Sequence, residues 1–330
     1  MQAPLLEVKN LKKYFDTPNG LLHAVDDVSF TIEKSKTLGV VGESGCGKST
    51  LGRTILHLLD STSGSIFFDG QDITTVSKAR LKELRRDMQI IFQDPFSSLD
   101  PRKCVSDIIA EPMLIYKKYP NRKAAMAKVA ELMETVGLAA RLAYSYPHEL
   151  DGGRRQRIGI ARALALDPKF IVCDEPVSAL DVSIQAQILN LMQDIQQERK
   201  LTYVFITHNL SVVKHISDDI MVMYLGNMVE KAPKQELFKH PLHPYTQALL
   251  SAIPIPDIDA KKDRILLRGE VTSPIDPKPG CRFAPRCQYA RPECFETNPE
   301  IRELAPGHFA ACHRAVEINS FENERGGGQV

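Results

Sequence analysis

Three groups of residues in this sequence have the types and spacing for chemistry on a phosphate. The first is Gly42, Glu43, Ser44, Gly45, Cys46, Gly47, Lys48 and Ser49, which satisfies G-x-x-x-x-G-K-[ST] and runs on into Thr50. In such a loop the glycines let the backbone curl until successive N–H groups face one phosphate. Lys48 adds a cation for the β- and γ-phosphates, and the Ser49 hydroxyl can ligate Mg²⁺. The second group is Asp174 and Glu175, adjacent carboxylates that end the apolar run Phe170 to Cys173. A carboxylate there can hold the Mg²⁺ shell while its neighbour polarises a water for attack on the γ-phosphate. The third is Gln93 after MQIIF and His208 after YVFIT, single polar residues that each close an apolar run. A histidine taken singly is more often packed or solvated; its place downstream of the carboxylates raises its claim.

These residues need elements to hold them. Leu38 to Val41 reads as a short buried strand ahead of the glycine-rich loop, and a helix is expected to start near Lys48, so the motif has the context it requires. A turn that merely links strand to helix is the competing reading, and eight matching positions in that context disfavour it. Met88–Phe92, Phe170–Cys173 and the run ending at His208 read as further buried strands, whose carboxyl ends are where ligands bind in parallel α/β sheets. Period-two alternation over Leu6 to Ile32, as in Val28, Phe30 and Ile32, predicts antiparallel strands. From Ser97 to Leu150 the texture is helical, with Met126, Val129, Leu132, Met133 and Val136 on one face; this predicts a helical insertion over about residues 97–154. LDGGRRQ at its end opens an Arg-rich helix with Asp151 and two glycines, a weak signal alone because Asp and Gly cap many helices.

Composition bounds the reading. The chain has 330 residues and a formal net charge of +1, which gives no electrostatic case for nucleic-acid binding. No apolar run approaches the roughly 20 residues that span a bilayer, and the start MQAPLLEVKN is no signal peptide, so the expected place is the cytosol. Of the seven cysteines, Cys46, Cys104 and Cys173 are expected to be unpaired, packed thiols. The other four, Cys281, Cys287, Cys294 and Cys312, are spaced C-x5-C-x6-C-x17-C, unlike the C-x2-C pairs of common zinc sites; a staple for a small subdomain is the expectation.

GESGCGKS, Gln93, LDGGRRQ, FIVCDE, SALD and His208 follow one another in the order and spacing of the ATP-binding cassette ATPases, which the chain resembles over roughly residues 5–255. The resemblance implies a P-loop NTPase (RecA-like) α/β core with an antiparallel β subdomain and a helical insertion. It implies that these segments act as Walker A, Q-loop, signature, Walker B, D-loop and switch histidine. Glu175, His208 and Gln93 would then be catalytic. Gly42 to Thr50, Gln93 and Asp174 would hold ATP, with Ser49 and Gln93 on Mg²⁺. Asp151, Gly152 and Gly153 would touch the ATP of a second subunit docked head to tail. The adenine-stacking aromatic falls two residues after a Lys, which selects Phe15 after Lys13, with Tyr14 as second choice. The signature departs from the usual L-S-G-G-Q, since Asp151 stands where Ser is usual and Arg154 where Gln is usual. Arg154 and Arg155 are the expected neutralisers of that extra carboxylate.

From Glu236 the chain reads ELFKHPLHPYTQALLSAIP, then a Pro- and charge-rich linker, then PGCRFAPRCQYARPEC and AACHR. This is similar to the ATPase subunits of bacterial dipeptide and oligopeptide importers, with nickel importers as near relatives, and VGESGCGKSTLGR resembles their second ATPase. The resemblance implies a cassette over 1–255 and a cysteine-stapled extension over 256–330. It implies a [4Fe–4S] cluster on the four tail cysteines, zinc being the alternative. The implied partners are a second homologous ATPase forming a heterodimer, two membrane permease subunits and an external solute-binding protein, with no nucleic acid. The chain would sit at the cytoplasmic face of the membrane and energise peptide import. A soluble ATPase working on nucleic acid or ribosomes is the competing class; one cassette, no heptad run and no basic stripe stand against it. A regulatory module with degraded catalysis is weaker still, because Glu175 and His208 are both present.

Overall fold

The structure, a computed structural model, describes residues 3–253, 264–267, 269 and 272–319. Its strands are β1 Leu6–Thr17, β2 Gly20–Ile32, β3 Thr37–Val41, β4 Ser63–Phe68, β5 Gln71–Asp72, β6 Met88–Ile91, β7 Phe170–Asp174, β8 Thr202–Ile206, β9 Asp219–Tyr224, β10 Asn227–Pro233, β11 Arg302–Ala305 and β12 His308–Ala310. The longer helices are α1 Lys48–Ile55, α2 Lys78–Asp87, α3 Val105–Ile115, α4 Arg122–Thr135, α5 Gly152–Leu164, α6 Val182–Arg199, α7 Leu210–Ile216, α8 Lys234–Lys239 and α9 Pro244–Ser251. The chain divides into two compact units. One gathers the described parts of Met1–Leu6, Ile32–Thr37 and Phe67–Thr207; the other gathers Glu7–Thr31, Leu38–Ile66 and His208–Val330. The expected boundary at 255/256 falls within 254–263, outside the described residues.

In the first unit β6, β7 and β8 are parallel neighbours, with Met88 opposite Phe170 and Phe170 opposite Thr202. Every residue of β7 and β8 is buried, as expected for strands covered on both faces. The unit also holds the expected helical insertion. Asn121 opens α4 by accepting the Ala124 N–H at 2.9 Å, and Ala125, Val129, Leu132 and Met133 turn inward. Burying side chains of that size stabilises by about 1.5–3 kcal/mol each. Met126, on the same sequence face, lines a cavity of about 880 Å³ with Cys104, Asp107 and Tyr144 instead of joining the core.

In the second unit β1 and β2 form the predicted hairpin, turning at Pro18 and Asn19, where the Thr17 hydroxyl donates to the Gly20 carbonyl at 2.7 Å. Apart from that hairpin, β3 pairs with β9 in parallel, and the pairing continues antiparallel through β10, β12 and β11. Residues 302–310 of the tail therefore extend the sheet that carries the glycine-rich loop. One buried carboxylate fastens this join. Glu230 on β10 is fully buried, accepts the Leu242 and His243 N–H groups at 2.7 and 2.9 Å, and pairs with His308 Nε2 of β12 at 2.7 Å. A buried carboxylate is tolerated only with its oxygens satisfied, and here they are. Nearby Tyr224 packs edge to face on Tyr245 and Phe283, which tilt against each other, with centroids 4.7 to 5.4 Å apart.

Candidate functional site

The glycine-rich loop leaves β3 and enters α1 at Lys48, as the motif predicts. Two of its glycines are required by backbone geometry. Gly42 has φ 154°, and a Cβ there would stand 2.2 Å from the Met223 carbonyl oxygen; Gly47 has φ 100°, and a Cβ would meet the Ala24 carbonyl oxygen at 1.9 Å. Lys48 is 4% exposed, and its ammonium donates to the carbonyls of Gly42 and Glu43, both at 2.9 Å. Its charge is thus held inside the curl of the loop. Burial pushes the Cys46 thiol pKa up, so Cys46 packs as a small neutral side chain, 2% exposed. Ser44 and Gly45 are exposed at the loop's tip, while Ser49 and Thr50 are half-buried in the first turn of α1.

Around Glu43 the tail residues crowd. Its N–H donates to the Tyr245 hydroxyl at 2.9 Å, and its carboxylate takes two bonds from the Arg286 guanidinium at 2.8 and 3.2 Å. That hydrogen bonding raises the Arg286 pKa further, and burial pushes the Tyr245 hydroxyl up. No short-range sequence signal could have found these contacts, since Glu43 lies about 200 residues or more from either partner.

Three of the strand-end residues, Gln93, Asp174 and Glu175, lie in the first unit. Asp174 closes β7 at 1% exposure. Glu175 follows with φ 48°, a left-handed backbone that costs a non-glycine residue of order 1–3 kcal/mol and marks a site held by its surroundings. Here the restraints are the Glu175 N–H on the Ile206 carbonyl at 3.0 Å and the Ser178 hydroxyl on the Glu175 carbonyl at 3.1 Å. Gln93, two residues past β6, donates from Nε2 to Glu175 Oε2 at 3.0 Å. Two residues picked from separate strand ends are therefore in contact. His208 is exposed, two residues beyond β8, in the loop that Asn209 closes by capping α7.

In the same unit Asp151 is the N-cap of α5 and accepts the Arg154 N–H at 2.8 Å. Arg154 Nη1 also lies 3.3 Å from the second carboxylate oxygen, as expected. Arg155 does not join it: its Nε donates to the Pro147 carbonyl at 2.7 Å and its guanidinium lies over the Phe96 ring, 4.6 Å from the centroid. Competing partners explain the correction: residues three and four past the cap are both within reach of it, but the Pro147 carbonyl and the Phe96 ring hold the Arg155 guanidinium. Gly153 is buried against Ile184, where a Cβ would stand 2.7 Å from a methyl.

Tyr14 and Phe15 occupy opposite faces of β1, as successive strand residues must. Tyr14 is engaged: its hydroxyl donates to the Asp26 carboxylate and its ring stacks on His23 at 3.9 Å. Burial works to raise the Asp26 pKa, yet hydrogen bonds from His23 and Tyr14 and the Arg282 charge leave it below the usual carboxylate value. Phe15 holds the Lys13 ammonium over its ring, 4.7 Å from the centroid.

All seven cysteines are free thiols; Cys46 and Cys173 are buried, and Cys104 caps α3 with its sulfur 3.2 Å from Asp107 Oδ2. Cys281, Cys287, Cys294 and Cys312 line one cavity of about 20 Å³ together with His243, Tyr289 and His313. Burial pushes the Cys281 thiol up to about 12 and the Cys312 thiol up to about 11. Among the described residues no three Cys, His, Asp or Glu groups stand where they could hold a metal ion together. The tail cysteines are thus gathered, but not in the arrangement of a metal centre.

Comparison with known proteins meets this geometry. The family described as ABC transporter matches residues 25–178, and the family described as oligopeptide/dipeptide transporter, C-terminal region, matches residues 229–294. The oligopeptide transport ATP-binding protein AppF of Bacillus subtilis (strain 168) is 53% identical over 322 residues, covering 94% of this chain and 98% of that one. OppF of the same organism, also an oligopeptide transport ATP-binding protein, is 53% identical over 97% of this chain and all of its own length. Among solved structures, the MJ0796 ATP-binding cassette in a post-hydrolysis dimer bound to ADP and Pi matches with a TM-score of 0.63 at 27% identity, over 69% of this chain and 98% of that one.

Proposed function

We infer function from membership: this chain belongs to the ABC transporter ATPases, in the branch that carries an oligopeptide/dipeptide transporter C-terminal region. It is the ATP-hydrolysing subunit of an oligopeptide importer. The observation that carries this reading is the Gln93–Glu175 contact, which sets a polar sensor and a carboxylate together at the ends of adjacent parallel strands. Each residue then has work to do. The amides of the glycine-rich loop and the buried Lys48 bind phosphate, and Phe15 offers its ring to the adenine. The resemblance in the sequence assigns Mg²⁺ to the Ser49 hydroxyl and the Gln93 amide oxygen, supported by Asp174; these are hard oxygen donors, and the ion would neutralise charge on the phosphates. Glu175 takes the proton from the attacking water, and Gln93 orients that carboxylate. His208 senses the γ-phosphate.

The finer reading follows from the resemblance in the sequence. Two subunits dimerise head to tail, a homologous second ATPase supplying the other half, and the signature Asp151, Gly152 and Gly153 completes the partner's site. Closure on ATP moves two permease subunits to which an external binding protein delivers peptide. For the tail cysteines that resemblance alone speaks for a [4Fe–4S] cluster, with zinc the alternative. Iron and acid-labile sulfide measured on protein purified without oxygen decides it. About four of each per chain establishes the cluster, stoichiometric zinc replaces it, and neither leaves the cysteines as packed thiols.

Glu175→Gln tests the central role. An amide cannot accept the water's proton, so hydrolysis should fall by about 10²-fold or more while ATP binding survives. A variant that turns over ATP at the parent rate would remove Glu175 from the mechanism.

A further inference from the structure

The tail segment Cys281–Cys287 reads CRFAPRC, and each of its arginines reaches a stretch on which nucleotide binding depends. Arg286, with its side chain 9% exposed, makes a fork to Glu43: Nη1 to Oε2 at 2.8 Å and Nη2 to Oε1 at 3.2 Å. Arg286 Nη1 also lies 3.4 Å from the Tyr224 hydroxyl. Arg282 donates to the Leu225 carbonyl and to Asp26, the carboxylate that takes the Tyr14 hydroxyl. The segment itself is anchored by Phe283, 2% exposed between Tyr224 and Tyr245.

Glu43 matters because of what its backbone does. Its carbonyl accepts the Lys48 ammonium at 2.9 Å, and its N–H is spent on Tyr245. Glycines at 42, 45 and 47 leave the loop few side chains by which it can be fixed. A bidentate arginine is the strongest polar restraint available, and it acts on the residue whose carbonyl aims the phosphate-binding cation. Releasing that restraint would let the carbonyl and the ammonium drift, so that binding would have to order the loop first.

We propose that Arg286 is a positioning residue for the glycine-rich loop, acting through Glu43, so that the Cys281–Cys287 segment sets how tightly this chain holds nucleotide. The proposal rests on the nucleotide-binding role given to Gly42–Thr50. It predicts that a contact outside the cassette motifs, from the tail, controls affinity without touching ATP.

The test is equilibrium binding of a fluorescent ATP analogue to the full-length chain, with nucleotide-free thermal melting beside it. Arg286→Ala should weaken binding by about fivefold or more. Arg286→Lys should recover only part, because an ammonium cannot reproduce the fork. Glu43→Ala should match Arg286→Ala, and the double variant should be no weaker than either single one, since both remove one interaction. If Arg286→Ala melts lower yet binds the analogue like the parent, the contact is merely structural and the proposal falls. Losses that multiply in the double variant would also overturn it, because Arg286 would then act by another route. Should Arg286→Ala fail to fold, Arg286→Lys and Glu43→Gln carry the same comparison. Lys48→Ala separates the two claims: if it binds like the parent, the nucleotide reading of the loop fails and takes the proposal with it, whereas a weakened Lys48→Ala beside a parent-like Arg286→Ala overturns the proposal alone.

Discussion

At the residue scale the signature carries the open question. Asp151 performs two tasks that the structure separates: it caps α5 through the Arg154 N–H, and it presents a carboxylate that Arg154 partly offsets. Ser caps a helix about as well as Asp, so Asp151→Ser removes the charge and leaves α5 in place. The carboxylate is exposed, paired with an exposed arginine and screened by solvent, so its repulsion of a partner's ATP is small. In the assembled transporter Asp151→Ser should tighten ATP at the site this signature completes by about two- to threefold, changing the ATPase rate with it. Unchanged affinity and rate would reduce Asp151 to a helix cap. Single residues with strong local grammar were legible in this way. Gln93, Glu175 and Lys48 each close or open an element, and the structure puts them where that grammar says. Arg155 departs from that grammar because its partners, the Pro147 carbonyl and the Phe96 ring, lie elsewhere in the sequence and compete for it.

At the element scale the tail helix α9 rests on a histidine that cannot easily be charged. His243 is 1% exposed and caps α9 with Nδ1 accepting the Tyr245 N–H at 3.1 Å, an arrangement that needs the neutral ring. Burial lowers its pKa to about 4, although the Glu230 charge works in the opposite direction. The unfolded chain would take up a proton near pH 6.5. Between about pH 6.5 and 4 the unfolded state therefore binds more protons than the folded one, and stability falls as the solution is acidified through that window. The full difference is on the order of 3 kcal/mol. Melting the chain at pH 7 and pH 5 should show a marked drop, and His243→Asn, which can still cap α9, should flatten the pH dependence. An equal drop in both proteins would assign the acid sensitivity elsewhere. Elements of this kind were the least legible. The strands with motifs at their ends stood out by period and apolar run, but β11 and β12 are three to four residues long, and the pairing of β12 to β10 joins positions about 80 apart.

At the scale of the whole molecule, what was readable is the order of motifs, and what was not is how the tail is wired into the cassette. Glu230 with His308, Glu43 with Arg286 and Asp26 with Arg282 span 78 to 256 positions, and no local pattern announces any of them. All three run from the cassette to the last fifty residues, so the tail acts as part of the nucleotide-binding unit that contains it. The same scale governs where the protein works. Among the described residues no helix is long and apolar enough to cross a membrane, and the formal charge of +1 offers anionic lipid little to attract. On the proposed assembly, attachment to the membrane comes through the permease subunits. Expressed alone, the chain should remain in the supernatant when membranes are pelleted. Expressed with its permease subunits and second ATPase, it should sediment with the membranes and resist a high-salt wash to the extent that the contact is apolar. Sedimentation of the chain without any partner would show a lipid-binding surface of its own, and the permease would no longer be needed to explain its place.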